Sequence, residues 1–148
     1  MALTKTRPNR IYRGTQIELA AKNEAVFGGG LACFDTSTGL VAKGFASTTL
    51  IPIGTFDEDS AAASPKTVIV NLFRELHAIW MVNAGGGDAV VAANIGGLAY
   101  IRDDNTVGVD DDTNTLSVMG RVWKLDTVKG VLVEPLHSAG EGTVSGLD

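Results

Sequence analysis

Asp110, Asp112 and Asn114 stand two residues apart in the run V-G-V-D-D-D-T-N-T-L-S-V-M-G, residues 107–120. Oxygen donors at this spacing open the twelve-residue loop that wraps a calcium ion. Read from Asp110, the loop needs glycine at its sixth position and a bidentate glutamate at its twelfth. The chain places Thr115 and Arg121 there. Read from Asp103, Asn105 and Gly108 fall correctly, but Val107 takes the fifth position and Asn114 the twelfth. An arginine in place of the closing carboxylate repels the ion. Asp and Asn also favour turns, because their side chains accept hydrogen bonds from nearby backbone N–H groups. The run is therefore expected to be a turn between strands, with a weak cation site as the alternative. No metal ligand and no cofactor are assigned.

Other chemistries fail on one essential residue each. G-L-V-A-K-G-F-A puts Gly39 and Gly44 at phosphate-loop spacing, yet Phe45 and Ala46 stand where Lys and Ser/Thr belong. G-G-G-L-A-C ends on Cys33 and misses the dinucleotide pattern. Both stretches read as turns, where glycine supplies positive φ. The chain lacks a G-x-S-x-G nucleophile elbow. His77 lies in an apolar run beside Trp80, and His137 begins a small, polar tail. Two histidines this far apart and one cysteine give no zinc spacing. Cys33 sits in an apolar strand and reads as a small buried hydrophobe. No pair among the 17 acids is singled out. No catalytic residue is assigned, and the chain is expected not to be an enzyme.

The elements that would position such residues are short strands. The chain has 148 residues, 45% of them hydrophobic, a size that suits one domain with one core. Eighteen glycines punctuate runs rich in Val, Ile, Thr, Leu and Phe. Strands are expected at 15–21, 31–35, 66–72, 76–83, 98–103, 106–110, 117–126 and 130–136. The last two are joined by a short hairpin at Thr127–Lys129. Residues 70–82 also carry Leu72, Leu76, Ile79 and Val82 at helical spacing, so a helix is the alternative to a strand pair there. Residues 57–65 read as a loop or one short helical turn. No internal repeat at a fixed period is visible, and no linker divides the chain. The fold class is mainly β: a single-domain β-barrel or β-sandwich with an extended N-terminal arm (1–13), a body (14–136), a C-terminal tail (137–148) and little helix.

Charge is unevenly placed. Residues 1–13 carry Lys5, Arg7, Arg10 and Arg13 and no acid. Setting those four cations aside, the net charge of −5 becomes −9 for the rest. A basic arm on an acidic body suits an arm that reaches another protein surface. Lys5, Arg7, Arg10 and Arg13 would pair with carboxylates while Ile11 and Tyr12 anchor. Nucleic acid is not expected as a partner, since phosphate would be repelled by the body. A membrane is not expected either: apolar runs such as A-V-V-A-A fall far short of the ~20 residues of a spanning helix. The opening M-A-L-T-K-T-R-P-N-R-I-Y-R-G lacks the apolar stretch of a secretory signal. With Cys33 alone, no internal disulfide forms, which is compatible with a reducing cytoplasm.

One pattern carries a likeness. G-G-G-L-A-C-F-D-T-S-T-G-L-V-A-K-G-F-A-S-T-T-L-I-P-I-G-T-F-D-E-D opens with a strand, turns at T-S-T-G and ends on a second run. Later, I-G-G-L-A-Y-I-R-D-D leads through a turn to V-M-G-R-V-W-K-L-D and a final hydrophobic strand. This order, over residues 26–136, resembles the small β-rich head decoration (cement) proteins of tailed bacteriophages. The resemblance implies a non-catalytic structural virion protein, made in the bacterial host cytoplasm. It would bind the major capsid protein on the outer capsid surface as a homotrimer and stabilise the shell. A small β-sandwich binding module for carbohydrate or a receptor, on a virion or cell surface, is the alternative. Trp80 and Trp123 would be its stacking residues.

Overall fold

In Lys66–Leu72 the alternation of side chains decides the local structure: Val68 and Val70 are buried, while Thr67 and Ile69 between them face outward. Period-two burial of β-branched residues favours a strand over a helix, because such side chains pack well on a pleated surface. The computed structural model describes residues 15–73 and 78–136. Ten strands follow one another: β1 (Gln16–Ala21), β2 (Leu31–Asp35), β3 (Leu40–Lys43), β4 (Leu50–Phe56), β5 (Lys66–Leu72), β6 (Ile79–Asn83), β7 (Leu98–Ile101), β8 (Thr106–Gly108), β9 (Val118–Asp126) and β10 (Gly130–Pro135). Among the described residues, helix is confined to two short 3₁₀ turns, Gly86–Asp88 and Ala92–Asn94. Residues 70–72 and 79–82 lie in strands β5 and β6, so the helix alternative fails for the described residues of 70–82. Val70 pairs with Ile17 and with Phe56 across two ladders. The arm and the tail lie outside the described residues, as do His77 and His137.

The strands close two barrels, in the orders β1-β3-β2-β4-β5 and β10-β6-β8-β7-β9. The connectivity is the same in both. The first strand runs parallel to the third (Ala21 beside Val41, Asn83 beside Val107) and antiparallel to the fifth. The second strand pairs with the third and the fourth, and the fourth with the fifth. The expectation of no repeat is corrected here: the body is one unit built twice. The letters preserve little of this. Gly29–Ala32 and Gly96–Ala99 both read G-G-L-A, with Gly29 at φ 87° and Gly96 at φ 90°.

Two glycines make closure possible. Gly54 in β4 pairs with Ala32 and Leu72; Gly120 in β9 pairs with Ala99 and Pro135. The ladder slips by one residue just after Ala32 and just after Ala99. At this bend the neighbouring strand presses so close that a Cβ on Gly54 would lie 2.1 Å from the Asn71 carbonyl, and one on Gly120 would lie 1.9 Å from that of Glu134. Glycine inside a strand marks such an approach.

The barrels are joined through shared core and backbone. Leu31, Cys33 and Leu50 of the first barrel pack with Met81, Ile101, Val107 and Met119 of the second. A separate cluster, including Val26, Val41, Phe56 and Val70, fills the first barrel alone. Ser117, buried at the junction, accepts a bond from the Leu50 amide (3.0 Å) and donates to the Ser47 carbonyl (2.5 Å). The Leu31 amide donates to the Asp104 carbonyl at 2.7 Å. Gly44 has a different role from the expected turn. It packs against the Asp103 carbonyl, which a Cβ would approach to 2.6 Å. Gly39, at φ 76°, is a turn glycine as expected.

Gly120→Ala is expected to lower the unfolding free energy by ~2–3 kcal/mol, with Gly54→Ala similar, because the backbone must move to admit the methyl group. Gly85→Ala, where a Cβ meets nothing within 4 Å, should stay within ~0.5 kcal/mol of the parent. Urea unfolding measures all three. Equal effects at positions 85 and 120 would contradict the bend assignment.

Candidate partner-binding face

The run expected to be a turn between strands bonds to its own backbone. Asp110 accepts a bond from the Asp112 amide (2.9 Å), and Thr115 donates to the Asp112 carbonyl (2.8 Å). Asp112, Thr113 and Asn114 all have positive φ, at 53°, 63° and 65°. Asp and Asn tolerate that region, while the β-branched Thr113 is strained in it. No group of three potential ligands comes together among the described residues. The run is a turn, and neighbouring contacts pin its base. Asp88 accepts the Asp110 amide through Oδ1 (2.8 Å) and meets the Arg102 guanidinium Nε through Oδ2 (2.6 Å). That Nε contact is ionic, without the alignment of a hydrogen bond. Arg102 in turn donates to the Asp110 carbonyl at 2.6 Å.

The stretch with phosphate-loop spacing is not the expected turn: its interior forms strand β3, and only Gly39 closes a turn, the one organised by the Asp35 carboxylate. Asp35, 2% exposed, accepts bonds from the Ser37 hydroxyl (2.7 Å), the Ser37 amide (3.0 Å) and the Thr49 hydroxyl (2.8 Å). The Ser37 hydroxyl above all holds its carboxyl below the ordinary aspartate value of 3.8; burial pushes the other way, and Thr49, the Ser37 amide and Lys22 reinforce the lowering. A buried anion at this place is the opposite of a phosphate cradle. Cys33 is wholly buried, and burial first, then the charge of Asp35, pushes its thiol up. It is a core residue, without the thiolate character a nucleophile needs. An open cleft of about 220 Å³ lies between Asn83, Leu125, Asp126, Thr127 and Gly130. It is smaller than the range of ~300–1,000 Å³ usual for ligand pockets. Asp126, its one carboxylate, is occupied in capping the β9–β10 turn, accepting the Val128 and Lys129 amides at 2.8 Å each.

What the structure brings together instead is a surface. Trp80 on β6 pairs with Leu132 on β10, and Leu132 pairs with Lys124 on β9. Met81, Val131 and Val133 point into the core, so Trp80, Leu132 and Glu134 face outward together. Opposite Leu132 and Val133 the β9 ladder slips, and Trp123 is the extra residue. The slip turns it out of the barrel, 49% exposed, with its Nε1 donating to the Glu134 carboxylate (2.9 Å). Trp80 and Trp123 thus flank β10 on one face, two strand spacings or ~10 Å apart. Beyond β9, the Gly96 amide donates to the Val122 carbonyl, and the Val122 amide donates to the Gly97 carbonyl. Ile95, the residue before Gly96, is exposed. Lys129 stands over the Trp80 ring at 5.5 Å, a cation–π contact.

Three of the four matching positions of the first barrel are polar, Ile69 being the exception. Register matches Glu18 to Trp80 and Ile69 to Leu132. Asp57, three residues after its bend glycine, matches Trp123, and Asn71 matches Glu134. There Gln16 donates to both Asp57 (3.0 Å) and Asn71 (2.7 Å), Asn71 donates to Asp57 (3.2 Å), and Thr67 donates to Glu18 (2.7 Å). Trp80 and Trp123 were legible in the sequence as apolar; their outward aim was not. Lys5, Arg7, Arg10, Ile11, Tyr12 and Arg13 lie outside the described residues. No protein-family model matches the chain, and no curated protein or solved structure is significantly similar to it.

Cys33 should resist a thiol reagent in the native protein and react stoichiometrically in denaturant; rapid native labelling would contradict its burial. Asp35 adds a pH signature. Its folded-state value is lowered, so its contribution to stability is complete above pH 3.8 and is lost as pH falls through the lower folded value. Asp35→Asn is expected to destabilise the protein at pH 7 and to flatten the acid limb below about pH 4 in urea midpoints measured across pH. An unchanged acid limb would exclude Asp35 as a source.

Proposed function

We propose that this chain is a non-catalytic structural protein of the virion, a head decoration protein that binds the outer surface of a phage capsid and stabilises it. Its partners are the major capsid protein and further copies of itself, as a homotrimer. The observation that carries this reading is the divergence of two equivalent faces on one duplicated scaffold. One is mostly polar and internally hydrogen-bonded around Ile69; the other presents exposed Trp123 beside half-buried Trp80 and Leu132. Contiguous exposed apolar surface marks interaction sites in soluble proteins. Closed barrels also suit a brace, since every strand is paired on both sides and transmits load through its ladders. The basic segment 1–13 supplies a tether whose Arg7, Arg10 and Arg13 bond carboxylates on the shell while Ile11 and Tyr12 anchor.

A second reading is favoured by one specific feature. Exposed Trp123, with a carboxylate beside it, has the make-up of a sugar-stacking site in a carbohydrate-binding module. Tryptophan fluorescence titrated with glycans separates the two, since stacking on Trp123 shifts its emission and shell binding requires no sugar.

Full-length protein is expected to co-sediment with expanded phage heads, and deletion of residues 1–13 to leave a folded protein that binds at least about tenfold more weakly. Wild-type protein that stays in the supernatant would overturn the reading. Equal binding by the truncated form would remove the tether from it.

A further inference from the structure

We infer that the tryptophan face of the second barrel docks on the acidic side of the first barrel of another copy, joining copies head to tail. The second barrel is electrically polarised. Asp88, Asp103, Asp104 and Asp110–Asp112 gather on the β7–β8 side, whereas Arg121, Lys124 and Lys129 lie on the β9–β10 hairpin that carries the tryptophan face. Asp126 and Glu134 lie on the same hairpin, so three cations stand against two carboxylates there. The face is an apolar centre whose rim is mixed in charge and net cationic by one.

The first barrel offers the complement. Ile69 is 37% exposed beside Glu18, and Phe27 is 58% exposed on the segment running alongside β4. Asp57, whose amide bonds the Ile69 carbonyl, continues into Glu58 and Asp59, and Asp59 accepts the Gly28 amide. Two exposed apolar side chains are thus bordered by Glu18, Asp57, Glu58 and Asp59. Lys66, at the start of β5, is turned onto the carbonyls of Glu24 and Ala61. Apolar centre meets apolar centre, and the two rims carry opposite net charge, the arrangement that fixes register between partners. The acidic β7–β8 loops, by contrast, offer carboxylates without an exposed large apolar side chain among their described residues.

The two docking faces are different surfaces of one molecule, so the contact is heterologous. Such contacts generate a ring when the rotation closes and an open filament when it does not. Closure at three copies rests on the decoration reading above; the pairing of faces does not.

Sedimentation velocity on the full chain, over a range of concentration and salt, tests the pairing. Wild type should associate, more weakly as salt rises. Glu18→Lys and Lys124→Glu should each weaken association about tenfold or more, and the double exchange Glu18→Lys/Lys124→Glu should restore it to within about threefold. Both side chains are exposed, and thermal melts check that each variant folds. Trp123→Ala gives an independent uncharged test and should also abolish association. A monomer at every concentration, or single exchanges without effect, or a double exchange no better than the singles, would overturn the inference. Head binding is measured separately: a monomeric wild type that still co-sediments with heads defeats the pairing alone, whereas associated protein that ignores heads defeats only the decoration reading.

Discussion

Closing a sheet of five short strands forces one strand to turn sharply while its neighbours follow. In this chain that turn occurs at Gly54 and again at Gly120, each facing a fully buried alanine, Ala32 or Ala99. The strand carbonyls there come within the space a methyl group would need. The rest of the architecture depends on this absence of side chain. Without the bend, β4 could not pair with both β2 and β5, nor β9 with both β7 and β10, and each sheet would remain open with two unpaired edges. Open edges invite pairing with other chains. Closure removes that route, so any association must use side chains on the outer faces.

Those faces are where the two barrels differ. Inward positions are constrained by packing: Val70 and Val133 are both fully buried, as are Val41 and Val107. Outward positions carry no such demand. The matched pairs Glu18 and Trp80, and Asp57 and Trp123, have taken opposite chemical characters on the same framework. An exposed tryptophan contributes nothing to its own barrel's core, and hydration of its ring is unfavourable. Its retention on an exposed strand is readily understood if another surface covers it. The junction between barrels, held by the Ser117 hydroxyl and by the close fit of Gly44, makes the polar and apolar faces parts of one body.

Much of the strand pattern was legible because alternation and glycine punctuation are local signals. Lys66–Leu72 and Val118–Asp126 are apparent from their residue types, and so is the hairpin capped by Asp126. The metal-like run resolved into a turn for the reason its missing ligands suggested. The duplication was not legible, because equivalent barrels need equivalent volumes rather than equivalent letters, and G-G-L-A is the clearest shared string. Leu40–Lys43 and Leu50–Phe56 were not assigned as separate strands. Leu40–Lys43 is only four residues long, and in Leu50–Phe56 Pro52 and Gly54 disguise the pattern. The outward aim of Trp123 was hidden by the ladder slip. Strict alternation from Met119 would place Arg121 and Trp123 inside, whereas Met119 and Val122 are the buried residues. A slip is a property of two strands together, and neither strand shows it alone.

Hydroxyl-radical footprinting of Trp123 and Trp80 addresses the adhesive face most directly, comparing dilute free protein with protein bound to phage heads. Both rings should be oxidised readily in the free chain and protected several-fold on the heads. Equal oxidation in the two states, with the protein demonstrably bound, would contradict the assignment of this face as the surface by which the chain works.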